Sequence, residues 1–358
     1  MNESRNKGIF QLRRALAVVI FLTAGFIFAD PPVTNAGITD LPPEMEKLLI
    51  ETIRLIHHEE YPRSLSNFER MKKELPTHPA GFFFYGATLE WISLDYKNFT
   101  FHDPFVENMS KAVELGKAYV AREPQNPWAY FYTGAAYGFM GITMIKYGEW
   151  IKAFFDGMSG FKYLTKALEV KPDFYDAYYG VGQFHYWRSK KAKILMLFST
   201  KDEMAQGIQE LNLAVAKGKL TVIDTRNSLA GIYSMEGDYD KSTALIRESL
   251  AEFPNYLASH WNLAQNQMGK KDWAGALETL KTVDQRLHAS PYTGQLAYVE
   301  LETLRALCQM GLGDSAKARE SIKKAREAKE PGLKSIARYS DLIQEIERME
   351  RALKKSKG

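Results

Sequence analysis

The chain has 358 residues, 45% of them apolar and 25% charged, the balance of an ordinary folded protein and one that excludes a disordered chain. Its formal charge of +4 is unevenly placed: Arg5, Lys7, Arg13 and Arg14 against Glu3 carry +3 of it in the first 29 residues, and 13 Lys/Arg against 7 Asp/Glu give a local +6 from Ala316 to Gly358. No nucleic-acid motif accompanies that basic end, which reads as a solvated helix surface and argues for no nucleic-acid partner; the single cysteine, Cys308, excludes an internal disulfide and is expected in a helix core.

In chain order, Arg13 and Arg14 precede a 15-residue apolar run from Ala15 to Ala29, which stops at Asp30-Pro31-Pro32. That is the charged and apolar portion of a secretory signal, shorter than the roughly 20 residues that cross a bilayer comfortably. Residues 1–36 are therefore expected to be a signal peptide, cleaved after Ala29 or after Ala36, with Thr34-Asn35-Ala36 the better site because both critical residues are small. The expected location is periplasmic or secreted. The alternative is an inner-membrane anchor formed by the uncleaved segment.

From residue 41 to 331 a three-part ladder recurs seven times: a small residue, an apolar or small one four later, and Pro or another breaker eight beyond that. Its members are Ser64/Phe68/Pro76, Ala112/Gly116/Pro124, Gly160/Leu164/Pro172, Gly207/Leu211/Lys219, Ser242/Ile246/Pro254, Ala276/Leu280/His288 and Ala318/Ile322/Glu330. The small residues are 48, 48, 47, 35, 34 and 42 positions apart, a regularity that means stacked helical hairpins. The small side chain lets two helices approach, the apolar one fills the groove beside it, and the breaker ends the second helix.

The helices before each of these carry a matching pattern: Phe82-x-x-Tyr85-Gly86-x-x-Leu89, Tyr130-x-x-Thr133-Gly134-x-x-Tyr137, Asp176-x-x-Tyr179-Gly180-x-x-Gln183, Leu229-Ala230-x-x-Tyr233 and Leu263-Ala264-x-x-Gln267. Together the two patterns resemble the tetratricopeptide repeat, with Ala264 following Ala230 at the family's 34-residue period. Repeats up to about residue 220 each carry roughly 14 residues more than that unit, and in this they resemble enlarged repeats of bacterial exported tetratricopeptide proteins of uncharacterised function. The expected fold is all-α, a right-handed solenoid of about seven hairpins. Residues 332–358 form a capping helix and basic tail, with Leu333, Ile336, Ala337, Leu342, Ile343, Ile346, Met349 and Leu353 on one stripe. Repeat packing falls to Ser64, Ala112, Gly160, Gly207, Ser242, Ala276 and Ala318 on the second helices, and to Gly86, Gly134, Gly180, Ala230 and Ala264 on the first.

The resemblance implies a non-catalytic scaffold for protein–protein interaction, with the first helices lining a concave face. Candidate partner-binding residues there are Tyr85, Trp128, Tyr132, Tyr137, Trp150, Tyr179, His185 and Trp187, aromatic types favoured at interfaces. Residues 139–158 place Phe139, Met140, Ile142, Met144, Ile145, Trp150, Ile151, Phe154 and Phe155 around a narrow charged stripe, and residues 194–198 are a second apolar run. So apolar a helix must be covered, by neighbouring repeats, by a partner helix, or by a membrane surface in an alternative reading as a lipid-handling protein.

Catalytic, cofactor and metal residues are expected to be none. His57-His58-Glu59-Glu60 is the densest ligand-like cluster, but adjacent helical residues do not face one another, and the cluster reads as a solvated helix end. No nucleophile elbow or phosphate-binding loop is present in the sequence.

Overall fold

A computed structural model describes residues 37–194, 202–327 and 333–355. The expected signal at 1–36, and the apolar run at 194–198 beyond its first residue, lie outside the described residues. Residues 38–358 make up one compact unit, a stack of helices. Among the described residues there are fifteen α-helices, one 3-10 turn (Leu333–Ser335) and no strand.

The helices pair as seven hairpins: α1 (Pro43–His57) with α2 (Tyr61–Glu74), α3 (Pro79–Tyr96) with α4 (His102–Arg122), α5 (Pro127–Lys146) with α6 (Trp150–Val170), α7 (Ala177–Ile194) with α8 (Met204–Lys217), α9 (Val222–Met235) with α10 (Tyr239–Glu252), α11 (Leu257–Gly269) with α12 (Trp273–Ala289), and α13 (Gln295–Gly311) with α14 (Ser315–Glu327). The last helix, α15 (Ala337–Lys355), lays Leu342, Ile346, Met349 and Leu353 against a core that includes Leu296, Val299 and Ile322 of the seventh hairpin. The extra residues of the early repeats lengthen helices: α3 to α6 run 18, 21, 20 and 21 residues, whereas α9 to α11 run 14, 14 and 13.

Local chemistry explains the punctuation. Proline opens α1, α2, α3 and α5, where a missing N–H costs nothing. His78 and Asn126 cap α3 and α5 by accepting from Ala80 N and Trp128 N. In six hairpin turns one residue takes a left-handed backbone: Glu59, Lys97, Gly148, Gly237, Lys271 and Gly313. Five of those turns close with the same bond, from the following N–H to the carbonyl five residues earlier: Glu60 to Leu55, Glu149 to Met144, Asp238 to Tyr233, Asp272 to Gln267 and Asp314 to Gln309. This is the Schellman closure of a helix end. The turn at Lys97 departs from it because residues 98–101 continue toward the seventh hairpin.

All seven small residues of the second helices are buried, as are the residues four positions on, from Phe68 to Ile322. On the first helices Gly86, Gly134, Ala230 and Ala264 are buried too, but the fourth hairpin corrects the expected register. Gly180 is only half-buried, and a Cβ there would meet Leu164 of the preceding hairpin. The close approach to Gly207 is made by Gly182, where a Cβ would lie 2.8 Å from Gly207 O. Gly182 stands ten residues after Pro172, as Gly134 does after Pro124 and Gly86 after Pro76. Asp176 is thus not the counterpart of Tyr130. That place belongs to Tyr178, which donates to Pro172 O as Tyr130 donates to Pro124 O.

The stack also closes on itself. The tip of the first hairpin meets the junctions around the fifth and sixth: His57 Nε2 lies 3.2 Å from Asp224 Oδ1, and Glu59 accepts from Leu257 N (2.7 Å), Tyr96 Oη (2.7 Å) and Arg286. At the second tip, Trp261 Nε1 donates to Asp95 O (3.1 Å), Gly294 N to Tyr96 O (2.9 Å) and Asn98 Nδ2 to Tyr292 O (2.9 Å). From the third tip Tyr147 packs on His102 and, with Phe99, on the apolar cluster shared by α13, α14 and α15. Each early tip therefore sits on a junction about four repeats further along. Burying Tyr61 and Tyr96 in this seam is worth roughly 1.5–3 kcal/mol each by apolar area, more than the ~0–1 kcal/mol of an exposed pair such as Arg54–Glu252.

Candidate interaction surface

Packing between adjoining helices divides the expected partner-binding residues. Trp128, Tyr132 and His185 are buried: Trp128 packs edge-on to Phe174 at 4.6 Å, Tyr132 Oη donates to Asp40 Oδ1 (3.1 Å), and His185 Nδ1 is 2.6 Å from Glu210 Oε2. Tyr179 is half-buried, its hydroxyl 3.2 Å from Ser228 Oγ. A side chain spent on the interior offers a partner nothing, because large aromatics are the first side chains a helix stack buries.

Tyr85 and Tyr137 keep part of their surface. Lys72 Nζ of α2 lies 4.1 Å above the Tyr85 ring, and Lys117 Nζ of α4 lies 5.3 Å above the Tyr137 ring, which also stacks on Tyr163 of α6 at 6.0 Å. The pairing continues with Lys217 over Tyr175 and Lys241 over Tyr233. The first two pairs join successive hairpins, whereas the last two lie within the fourth and fifth repeats, so each of the second to fifth repeats carries a half-exposed phenol ring beside an ammonium. Such pairs hold a ring in place at about 0.5–1 kcal/mol while leaving its edge available for a hydrogen bond or a stacked side chain.

Trp150 and Trp187 belong elsewhere. Eight of the twelve exposed large apolar side chains among the described residues gather at the end of the α5–α6 hairpin and on adjoining α7: Ile142, Ile145, Trp150, Ile151, Phe154, Phe155, Met158 and Trp187. Of the apolar residues expected to need covering, Met140 and Met144 are buried and Phe139 is partly buried, whereas Ile142, Ile145, Trp150, Ile151, Phe154 and Phe155 stay exposed.

Sequence reasoning missed the charges inside the seam. His57 and Glu59 are not a solvated helix end: both side chains are buried, and only His58 and Glu60 of that cluster keep substantial exposure. Asp95 is buried beside Glu59, and burial first, then the Glu59 charge, pushes its carboxyl well up from the usual range. Lys146 pairs with buried Glu90, and burial draws its ammonium down. Burial alone would raise Glu300, yet Lys97 at 3.8 Å and Arg338 at 2.6 Å more than reverse this and hold its carboxyl below the usual range. A readable signal existed, since Glu90 and Asp95 stand on a helix that is apolar on all its other faces, where a charge must be buried. Asp176, also buried, accepts from the backbone N–H groups of Lys219, Leu220 and Thr221 and so fixes the junction leading into α9.

No family model matches the chain, and no curated protein does. Among solved structures it is similar to the Cut9–Hcn1 hetero-tetramer of the APC/C, at 14% identity and a TM-score of 0.53, over 78% of this chain and 45% of that one. It is also similar to a thermophilic tetratricopeptide repeat protein of Thermus thermophilus (20% identity, TM-score 0.41, 63% of this chain and 99% of that one) and to one from Parabacteroides merdae (12%, 0.43, 85% and 99%). The fold is tetratricopeptide-like. At these identities the likeness is one of architecture, and the tetratricopeptide-like solenoid seen here differs from an open array in the seam that joins its early tips to its late junctions.

Proposed function

We propose that this chain is a non-catalytic scaffold, exported to the periplasm, that holds a segment of another protein at the lysine–tyrosine pairs. The observation that carries this reading is the set of half-exposed rings at Tyr85, Tyr137, Tyr175 and Tyr233, one in each of the second to fifth repeats and each beside a lysine ammonium. Repetition suits an extended segment that meets one ring after another, and rigid amphipathic tyrosines give contact area at low entropic cost. Buried His57 and Glu59 hold the first tip to its junctions and buried Glu300 binds Lys97 and Arg338, and among the described residues no group of three metal-ligating side chains converges. Export is supported by the charged and apolar run before residue 30.

The test is capture of envelope proteins on the chain starting at Gly37, compared with the Tyr85→Ala/Tyr137→Ala double variant. A specific protein is expected to be retained by the parent and to fall by about tenfold on the variant, the loss of roughly 1.4 kcal/mol of contact. Equal recovery on both removes these pairs as the binding surface.

A further inference from the structure

The acids that line the seam are paired, with one exception. Glu59 has Arg286, Glu90 has Lys146, Glu300 has Lys97 and Arg338, and Asp224 has His57. Asp95, one residue from the end of α3, has no such partner among the described residues: its side chain is buried, and its Oδ2 accepts no hydrogen bond from any of them. What crosses the seam at this residue is a backbone bond, from Trp261 Nε1 to the Asp95 carbonyl.

The groups around Asp95 oppose a charge there. Glu59 from the first tip and Asp224 from α9 are like charges, and Tyr61 of α2 and Tyr256 before α11 are buried phenols. Lys146 of α5 and Lys97 of its own turn are the cations nearby, but Glu90 holds the first, and Glu300 and Leu94 O hold the second. The last turn of α3 adds the partial negative charge of its free carbonyls. A carboxylate here is desolvated and uncompensated beside like charge, which favours the neutral acid. Burial first, then Glu59, accordingly hold the carboxyl well above the usual range. Relief by opening needs few bonds: parting the second tip breaks the Asp95–Trp261, Tyr96–Gly294 and Asn98–Tyr292 contacts and returns Asp95 to water, while each hairpin keeps its packing on the next.

We propose that the seam is a proton-dependent latch, closed while Asp95 is the neutral acid and released when Asp95 ionises, so that the first two tips part from the fifth to seventh repeats. The sign follows from linkage. The closed form binds the proton more tightly than the open one, so closure is at full strength below the ordinary carboxylate pKa of about 4 and is lost as pH rises through the higher value of the closed seam. Release would bare Tyr61, Tyr256 and Trp261, aromatic surface that the closed form withholds from any partner. This goes beyond the protein-holding reading, since it concerns the seam and holds whether or not the lysine–tyrosine pairs have a partner.

Spin-label distances in the full chain test it. A Ser66→Cys/His288→Cys pair reports α2 against α12 across the seam, and a Ser66→Cys/Ser110→Cys pair reports the adjacent helices α2 and α4; all three positions are exposed. Cys308 is buried, with its thiol pushed up to about 11, and stays unlabelled. From about pH 5 to about pH 10 the first pair is expected to show a growing population at longer distance, the long-to-short ratio rising by up to about tenfold per pH unit, the slope of one released proton. The second pair is expected to keep its distance. Asp95→Asn, and Asp95→Ala as an independent removal of the carboxyl, are expected to hold the short distance throughout. The proposal is overturned if the parent's first distance does not change over this range, or if the Asp95 variants lengthen with pH as the parent does. It is equally overturned if both pairs spread together, which makes the event general unfolding and not release of the seam.

Discussion

Asp95 shows how one residue in the seam shapes the response to pH. Its carboxyl is buried and its pKa is raised, first by burial and then by Glu59, against the opposing pull of Lys97 and Lys146. The folded state therefore holds the proton more tightly than the unfolded chain. At acid pH, below the unfolded value, both states are protonated and the group costs nothing; as pH rises toward the folded value the unfolded chain releases its proton first and stability falls. Each pH unit by which the pKa is displaced corresponds to about 1.4 kcal/mol. Asp95→Asn, which keeps the shape without the charge, is expected to leave stability unchanged in acid and to raise the unfolding midpoint increasingly as the pH approaches neutrality. Denaturant titrations of parent and variant across that range check the sign, and a variant less stable at neutral pH would show that the charge is compensated within the seam.

At the scale of elements, the turn after α3 carries the clearest test of closure. A Cβ on Gly294 would lie 2.3 Å from Lys97 O and 2.9 Å from Lys97 C, backbone atoms that cannot step aside as a side-chain end can. Gly294→Ala is expected to part the second tip from α13 while each hairpin keeps its own packing. Hydrogen exchange should then quicken at the Gly294 amide, which donates to Tyr96 O across the seam, and stay slow within α9 and α10. The hairpins themselves were legible in the sequence, because small residue, apolar residue and breaker each have a job that only a helix pair assigns. The register of the fourth was not, because Gly180 and Gly182 both satisfy the pattern. Counting ten residues from Pro172, as the second and third hairpins already do from Pro76 and Pro124, would have separated them. The candidate surface was legible only in part. A helical ladder states which face of a helix meets a neighbour and does not say which aromatics on it the adjoining hairpins cover. Trp128, Tyr132 and His185 went into the interior through contacts with Phe174, Asp40 and Glu210, and Trp150 and Trp187 came to the surface.

For the whole molecule, the seam changes how the array should unfold. In an open solenoid each repeat feels only its neighbours, and the ends fray independently. Here the first and second hairpins are bonded to the sixth and seventh through Glu59, Asp95, Tyr96 and Asn98. Two probes far apart in sequence, such as a label near Ser66 on α2 and the fluorescence of Trp261, are expected to report coincident denaturant transitions. Separated transitions would mean that the seam contributes little.

The same bridging has a bearing on how this architecture can vary. An open array tolerates the loss or gain of a whole unit, since the remaining faces still match. In this chain the removal of any one hairpin from the third to the fifth would carry the first two tips past their own counterparts and onto the next, setting the Glu59 carboxylate away from Arg286 and the Lys97 turn away from Gly294. The number of hairpins is then a fixed count, locked as the length of a zipper is locked by its two ends, and change has to come through the side chains.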